Sequence, residues 1–503
     1  MGFVEGSDRG QRMLFPESVD DYITGDNPVR FIEAFVESQD LIKLGFTHAI
    51  PEETGRPPYD PRDLCKLYIY GYLNKIRSSR QLEHATYRNI ELLWLLRKLH
   101  PDFKTIADFR KDNADGLKKL CRQFTLLCKK MDLFGGELIA IDGSKFSASN
   151  HNSRTYTTEK LRQMFTSIDE KIAAYFALLA GEDEAEEKVI PSARAKELND
   201  QIAKLEEHKR ELERLEQMLL ETGQSQISQT DPDSRMMRTG TQGVDASYNV
   251  QIAVDSKHKL IVDHDTTSDT NDQNQLSRMA IRAKETLGVQ TLEVTADAGY
   301  YNKAEIKRCE DEQITCYVPE PEKSQNKLLG LYTDKDFRYD PTRDCYICPA
   351  SQELTYRFQS TKGGKETRVY EGIVCKGCTL RSQCTRSQHG NRRVYRWVDE
   401  QVIETMHRRM LEQPEKVKKR KELVEHPFGT IKRSMNQGYF LMRGRAKVSA
   451  EVSLSVLAYN IKRVLNIIGL PKLVEAIKTL VGGAVRSVCH FFCSIDPRAE
   501  QIF

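Results

Sequence analysis

Through the first 130 residues, apolar side chains recur at intervals of three and four in short bursts, the spacing that lays one apolar stripe along an α-helix. Asp60 followed by Pro61 reads as an N-cap with proline at the first helical position, opening PRDLCKLYIYGYLNK. A second helix starts at Ser79, a third runs through IELLWLLRKL, and a fourth begins near Thr105 with Asp108 three residues on. At Leu138 the pattern changes. LIAI, leading to Asp142, is short and continuously apolar, as a strand buried on both faces is.

Two long helical patterns follow. In the first, Leu161, Phe165, Ile168, Ile172, Tyr175 and Leu179 are spaced by threes and fours; in the second, Leu198, Leu205, Leu212 and Leu219 recur every seventh residue, with Ile202 and Leu215 beside them. Between them lies the acidic stretch GEDEAEEKVIP, so the pair reads as an antiparallel helical hairpin or coiled coil, a scaffold or dimerisation arm. Strand patterns then resume. YNVQIAVD alternates, and KLIVDHD follows a turn at Asp255–His258. A helix from about Asp272 to Leu287 ends at Gly288, TLEVTAD runs to Asp297, and a short helix leads to ITCYV. Strand, insertion, two strands, helix, strand, helix, strand is the order of an α/β fold with a mixed sheet interrupted after its first strand.

Composition narrows the class without choosing it. The chain has 503 residues, 39% hydrophobic and 30% charged, with a net charge of +3, so any case for nucleic acid rests on local basic runs rather than on overall charge. No secretory leader pattern opens the sequence. The most apolar late region, 466–492, is broken by Lys472, Glu475, Lys478 and Arg486, so no membrane span and a cytoplasmic location are expected. Among the N-terminal helices, Arg77, Arg80, Arg88, Arg97 and Lys98 make either a helix-turn-helix DNA reader or an ordinary bundle with a solvated basic face. The run KVKKRK (416–421) is the densest basic segment, and Arg443 and Arg445 follow as secondary phosphate contacts.

Asp142 and Asp297 each stand at the end of a strand pattern, where open α/β sheets bind ligands. With Glu425 they supply three hard oxygen donors for two Mg²⁺ or Mn²⁺ ions, which at a separation of about 3.5–4 Å activate an attacking oxygen and stabilise a leaving one. Lys432 follows Glu425 at nearly two helical turns. Pro427 intervenes, so the helix is either kinked there or starts there.

IDGSKF around Asp142, VTADAGYYN around Asp297 and VEHPFGTIKR around Glu425 resemble the DDE triad of bacterial insertion-sequence transposases. RPPYDPRDL, SSRQLEHATYRNI, TIADFRK, TDPDSRMM and YNVQIAVDSKHKLIV extend that resemblance over most of the chain. It implies a ribonuclease-H-like core with Asp142, Asp297 and Glu425 as catalytic metal ligands. The family's lysine falls on Lys432 and the place of its arginine on Lys421; its tyrosine has no counterpart, Val417 and Lys418 standing in that area. The implied reaction uses water to cut at terminal inverted repeats, after which the freed 3′-hydroxyl attacks target DNA. The implied partners are double-stranded DNA, ends and target, and a second copy of the chain or more, working at the nucleoid. Lys418, Lys421, Lys432, Arg433, Arg80 and Arg88 are the expected DNA contacts. The rival readings are a structure-specific nuclease on the same core and a domesticated, non-catalytic DNA-binding protein.

The implied organisation is a helical DNA-binding domain (1–130), core segments (131–156, 231–318 and 401–470, the last with Glu425), the hairpin (157–230), a Cys-rich insertion (319–400) and a tail (471–503). In that insertion, CYIC (Cys345, Cys348), CKGC (Cys375, Cys378) and Cys384 offer five thiols for the four places of a structural Zn²⁺, with unliganded or redox-active thiols as the alternative. His389 reads as a surface-loop histidine rather than a ligand.

Overall fold

The computed structural model describes residues 18–481, apart from 52, 55–56, 151–153, 184–192, 240–242, 322–328 and 387–389. His389 and much of the acidic stretch between the hairpin arms therefore lie outside the described residues. In chain order, the helices α1 (Val29–Glu37), α2 (Leu41–Leu44), α3 (Pro61–Leu73), α4 (Ser79–Arg88), α5 (Ile90–Leu95), α6 (Phe103–Asp112) and α7 (Ala114–Lys130) come first. Then follow β1 (Leu138–Ser147), β2 (Thr155–Thr157), α8 (Thr158–Asp183), α9 (Ala193–Thr222), β3 (Gln226–Ser228), β4 (Arg235–Thr239), β5 (Gly243–Asp255) and β6 (Ile261–Thr267). After these come α10 (Leu276–Leu287), β7 (Leu292–Thr295), α11 (Lys303–Asp311), β8 (Ile314–Tyr317), β9 (Arg338–Asp340), β10 (Cys345–Ile347), β11 (Glu353–Lys362) and β12 (Lys365–Gly372). The last are α12 (Arg381–Cys384), β13 (Arg393–Trp397), α13 (Glu400–Glu412), α14 (Pro414–Gly429), α15 (Arg445–Ile468) and α16 (Leu470–Val481). The chain divides into two compact units, one of residues 1–135, 143–270 and 424–503, the other of 136–142 and 271–423.

The first unit is mostly helical. α3 starts as its sequence asks, with the Asp60 carboxylate accepting from the Arg62 N–H at 2.8 Å and Pro61 at the first position. α6 starts two residues earlier than the sequence pattern suggests: Asp102, not Thr105, caps it, accepting from the N–H groups of Lys104 and Thr105 at 2.9 and 3.0 Å. Gly71 is required by packing, since a Cβ there would lie 2.4 Å from the Ile76 carbonyl oxygen. α15 is buried along most of its length. Its Asn460 amide accepts from the Ile261 N–H and donates to the Ile261 carbonyl, each at 2.9 Å, so a polar group in the core is satisfied against β6. β4, β5 and β6 pair antiparallel, and the far end of β1 lies beside β5, with Ser147 Oγ donating to Asp245 at 2.8 Å.

α8 and α9 leave and return through the antiparallel pair β2–β3, which makes them a helical hairpin. Leu161, Ile168, Leu212, Leu215 and Leu219 form its buried seam with Tyr156 and Ile227 at the base. These are the stripe positions read from the sequence.

The second unit holds a parallel set, β1–β7–β8, and a five-stranded antiparallel sheet in the order β13-β12-β11-β10-β9. The strands of the protein are thus mixed, antiparallel in the first unit and parallel around β7. α10 ends at Gly288 with φ of 67°, the left-handed C-cap its sequence asks for.

Candidate active site

The first four residues of β1 are buried, and the strand pairs with β7 in parallel register, Ala140 opposite Thr295. Asp142 and Asp297 each follow that last pair by two residues. Both carboxylates come within 4.0 Å of the same side chain, Arg420. β1 does not stop at Asp142 but runs on to Ser147, because Phe146 is buried and the strand continues beside β5. β7 does stop, at Thr295. Asp297 then caps a short 3₁₀ turn, its carboxylate accepting from the Gly299 N–H at 2.8 Å. A Cβ on Gly299 would stand 2.9 Å from Asp297 Oδ1 and 3.9 Å from Asp272 Oδ2, so a third acid, unnoticed in the sequence, lies close by.

A guanidinium answers the pair. Arg420 Nη1 lies 3.5 Å from Asp142 Oδ1 and 4.0 Å from Asp297 Oδ2. α14 is positioned for this one turn earlier, where the Lys416 ammonium meets both Glu293 carboxylate oxygens at 2.5 Å and Tyr317 Oη at 3.2 Å. Lys416 and Arg420 are four residues apart and so share a helix face. The basic run therefore has two sides. Lys416 and Arg420 are committed to carboxylates, while Lys418 and Lys421 are exposed.

Glu425 is exposed, five residues beyond Arg420 on the same helix. The helix neither starts at Pro427 nor stops there; it continues to Gly429 and widens into a π turn over Thr430–Ser434. That widening breaks the two-turn alignment of Glu425 with Lys432. Lys432 instead donates to Ser144 Oγ and the Lys145 carbonyl, both at 2.6 Å, with its ammonium 4.4 Å from the centre of the Phe146 ring. Arg433 is exposed. Among the described residues, no three His, Cys, Asp or Glu side chains already stand at metal-holding distances.

In the N-terminal helices, Arg80, His84 and Arg88 are exposed one turn apart along α4. Arg77 is buried, its guanidinium donating to the Tyr439 carbonyl at 2.8 Å. Arg97 is paired with Asp63 at 3.2 Å. Of the five thiols, Cys348, Cys375, Cys378 and Cys384 line one cavity and Cys345 does not. Among the described residues no helix is long and apolar enough to cross a membrane.

Arg420 and Asp272 are the site residues that sequence reading missed. The signal for Arg420 was present: in KVKKRK it sits four residues after Lys416, so a helix that turns one toward a sheet turns the other as well.

Residues 17–112 match the family model described as a transposase domain of the type DUF772, and residues 347–465 match a transposase DDE domain. The second match contains Glu425, Lys432 and four of the five clustered thiols; Asp142 and Asp297 lie outside it. No curated protein matches. A solved structure, that of a piggyBac transposase synaptic complex with hairpin DNA, is similar at a TM-score of 0.29 and 9% identity, over 94% of this chain and 83% of that one, too remote to bear on fold or chemistry. Transposase models thus match both the N-terminal and the C-terminal part of the chain, which supports its likeness to the insertion-sequence DDE transposases.

Proposed function

We propose that this protein cuts DNA at the terminal inverted repeats of its own element and joins the freed 3′-hydroxyls to target DNA, using a ribonuclease-H-like core. The observation that carries the reading is the convergence of Asp142 and Asp297 on one guanidinium. Both carboxylates are partly open to solvent and meet the same guanidinium at distances that leave their oxygens loosely held. That donor set is made of hard oxygens and suits Mg²⁺ or Mn²⁺. Asp142 and Asp297 would hold such ions, with Glu425 as the third carboxylate. When bound, two divalent ions supply Lewis-acid activation of the attacking oxygen and charge stabilisation at the leaving one.

The chain's own residues supply position and charge. The Gly299 N–H orients the Asp297 carboxylate, and Lys416 fixes the first half of α14 against β7 and β8. Lys432 braces β1 just after Asp142 through Ser144 and Lys145, so its role is to hold the strand rather than to grip phosphate. Lys418, Lys421 and Arg433, with Arg80 and Arg88 on α4, are the exposed cations for the DNA backbone. Two ends must be brought together, so the working form is a dimer or larger assembly.

The test uses the full chain, inverted-repeat DNA and Mg²⁺, with Asp142→Asn, Asp297→Asn and Glu425→Gln. All three should bind the ends and fail to cut or join. If any one cut and joined at the parent's rate, its assignment as a ligand would be wrong. Cutting by the parent without joining would leave a nuclease; end binding without cutting would leave a DNA-binding protein. Deleting residues 1–130 is not a clean probe of DNA binding, because Arg110 and Tyr72 pack with Glu451 and Gln437 inside one unit. Arg80→Ala and Arg88→Ala are the better variants, each lowering the salt dependence of binding by about 0.9 in the log–log slope if it touches a phosphate.

A further inference from the structure

The five-stranded sheet of the second unit has very little to hold it. Its buried cluster is Phe337, Tyr346, Leu354, Tyr370 and Val394, and β9 and β10 are three residues each. So small a core normally needs a staple. Around one edge of that cluster, three separate chain segments bring thiols to a single cavity of about 30 Å³: Cys348 just after β10, Cys375 and Cys378 in the 3₁₀ turn after β12, and Cys384 at the end of α12. A pocket for an organic cofactor is about ten times larger or more. An ion fits the space.

We propose that Cys348, Cys375, Cys378 and Cys384 bind one zinc ion as a tetrathiolate site, and that Cys345 takes no part.

Strand geometry excludes Cys345. It lies within β10, paired with Thr355 and Asp340, and Cys348 follows three residues later. An odd separation along a strand puts two side chains on opposite faces. Tyr346, at the same parity as Cys348, belongs to the small cluster on which Cys348 and Cys384 pack, whereas Cys345 is buried outside it. The CxxC spacing of CYIC is therefore not a chelating pair, while that of CKGC, in a 3₁₀ turn, is.

The surroundings suit thiolates. The Gln352 N–H donates to Cys348 Sγ at 3.3 Å. A Cβ on Gly372 would come within 2.8 Å of Cys375 Sγ, so glycine leaves the sulfur its room. Zn²⁺ with four thiolates carries a net charge of −2. Two guanidiniums line the same cavity: Arg381, which donates to the Cys375 carbonyl at 2.8 Å, and Arg392, which donates to the Cys384 carbonyl at 3.3 Å and pairs with Asp334 at 2.9 Å. Arg392 Nε is buried with no hydrogen-bond partner, an N–H that a thiolate would satisfy. The four sulfurs do not yet meet at one point. Each turns about a single side-chain torsion with three staggered wells, so closure needs rotamer changes and no rearrangement of β-strands.

The experiment takes the full chain, purified under reducing conditions from zinc-supplemented cells, and measures zinc by elemental analysis. Cobalt-replaced protein is followed by its thiolate charge-transfer and tetrahedral d–d absorption. The parent and Cys345→Ser should carry about one ion per chain. Serine at any of the four ligand positions should weaken retention against a chelator by about a hundredfold or more. Parent protein without zinc and without the cobalt spectrum, whether its thiols are free or disulfide-bonded, would overturn the proposal. Loss of the ion in Cys345→Ser, or its retention in any of the other four variants, would overturn the ligand set. Where a variant fails to fold, the cobalt spectrum of the parent decides the matter, four thiolates supporting the site and fewer refuting it.

Discussion

Arg110 faces Glu451 at 3.3 Å in the helical unit, with their side chains 7% and 1% exposed; Arg420 faces Asp142 and Asp297 at 3.5 and 4.0 Å in the other unit, 21%, 20% and 44% exposed. Both are guanidinium–carboxylate arrangements. The first is sealed from water and welded to the chain through Tyr72 Oη, the Arg77 carbonyl and the Leu441 N–H. The second is open to solvent, with Arg420 facing both carboxylates at distances too long for good hydrogen bonds. Paired and buried charge holds a fold together. Accessible, loosely held charge is left for something that arrives. The same chemistry thus serves structure in one place and a reaction in the other, and exposure tells them apart.

The strongest way to break this contrast is at the open pair. Asp142→Asn or Asp297→Asn should lower strand cleavage by about a thousandfold or more, since loss of a metal-binding carboxylate removes several kcal/mol of transition-state stabilisation. Folding should hardly change, because the carboxamide keeps the size of the group. A single-turnover cleavage assay with a thermal melt of each variant reads both. If Asn at either position lowers the melting temperature strongly and spares the rate, the pair is structural after all.

At the sealed pair the expectation is reversed. Glu451→Gln leaves Arg110 charged and buried without a counter-charge, which costs about 3–5 kcal/mol of stability. Burial pushes the Glu451 carboxyl above its usual range, with Arg110 pulling the other way, and neither Arg110 Nε nor Glu451 Oε1 has a hydrogen-bond partner. The double variant Arg110→Met with Glu451→Leu should therefore recover most of that loss. Urea denaturation checks both; a mild single variant would show that water reaches the pair.

Arg420→Ala gives a smaller effect. The guanidinium competes with any cation for Asp142 and Asp297, and an exposed pair is worth about 0.2–1 kcal/mol. Removing it should tighten Mn²⁺ binding by about two- to fivefold and leave stability nearly unchanged. Calorimetric Mn²⁺ titration decides. Weaker binding would mean that Arg420 holds the acids in place rather than occupying a cation's position.

The sequence made the sealed parts easier to read than the open ones. Helical stripes, the hairpin seam at Leu161, Ile168, Leu212 and Leu219, the C-cap at Gly288 and the buried LIAI strand all follow from periodicity, which records burial directly. The placement of Asp142 and Asp297 was partly legible, since both follow apolar strands. Arg420 was not. Which of five cations in KVKKRK turns inward depends on Glu293 and Tyr317, more than 90 residues away. Lys432 was read as a phosphate contact because nothing local announces Ser144 as its partner. CYIC and CKGC share one spacing, yet the first opens in a strand and the second in a 3₁₀ turn, a difference that spacing alone does not record.

The last prediction concerns a titratable group whose surroundings cancel. His407 stacks on Tyr301 with ring centroids 6.4 Å apart, and burial depresses its basicity. Glu320 and Glu400 favour its protonated form, while Lys335 and Lys303 oppose it, so burial decides the direction. A histidine held below its ordinary value binds its proton more weakly folded than unfolded. Its contribution to stability is complete above the ordinary histidine range, near pH 6.5, and is lost as pH falls from there through the folded value. Melting temperature should therefore drop on acidification below neutrality, and His407→Gln should flatten that part of the curve without touching the alkaline side. An unchanged acid limb in the variant would mean that protonated His407 is fully accommodated by Glu320 and Glu400, and that this site is governed by charge balance rather than by burial.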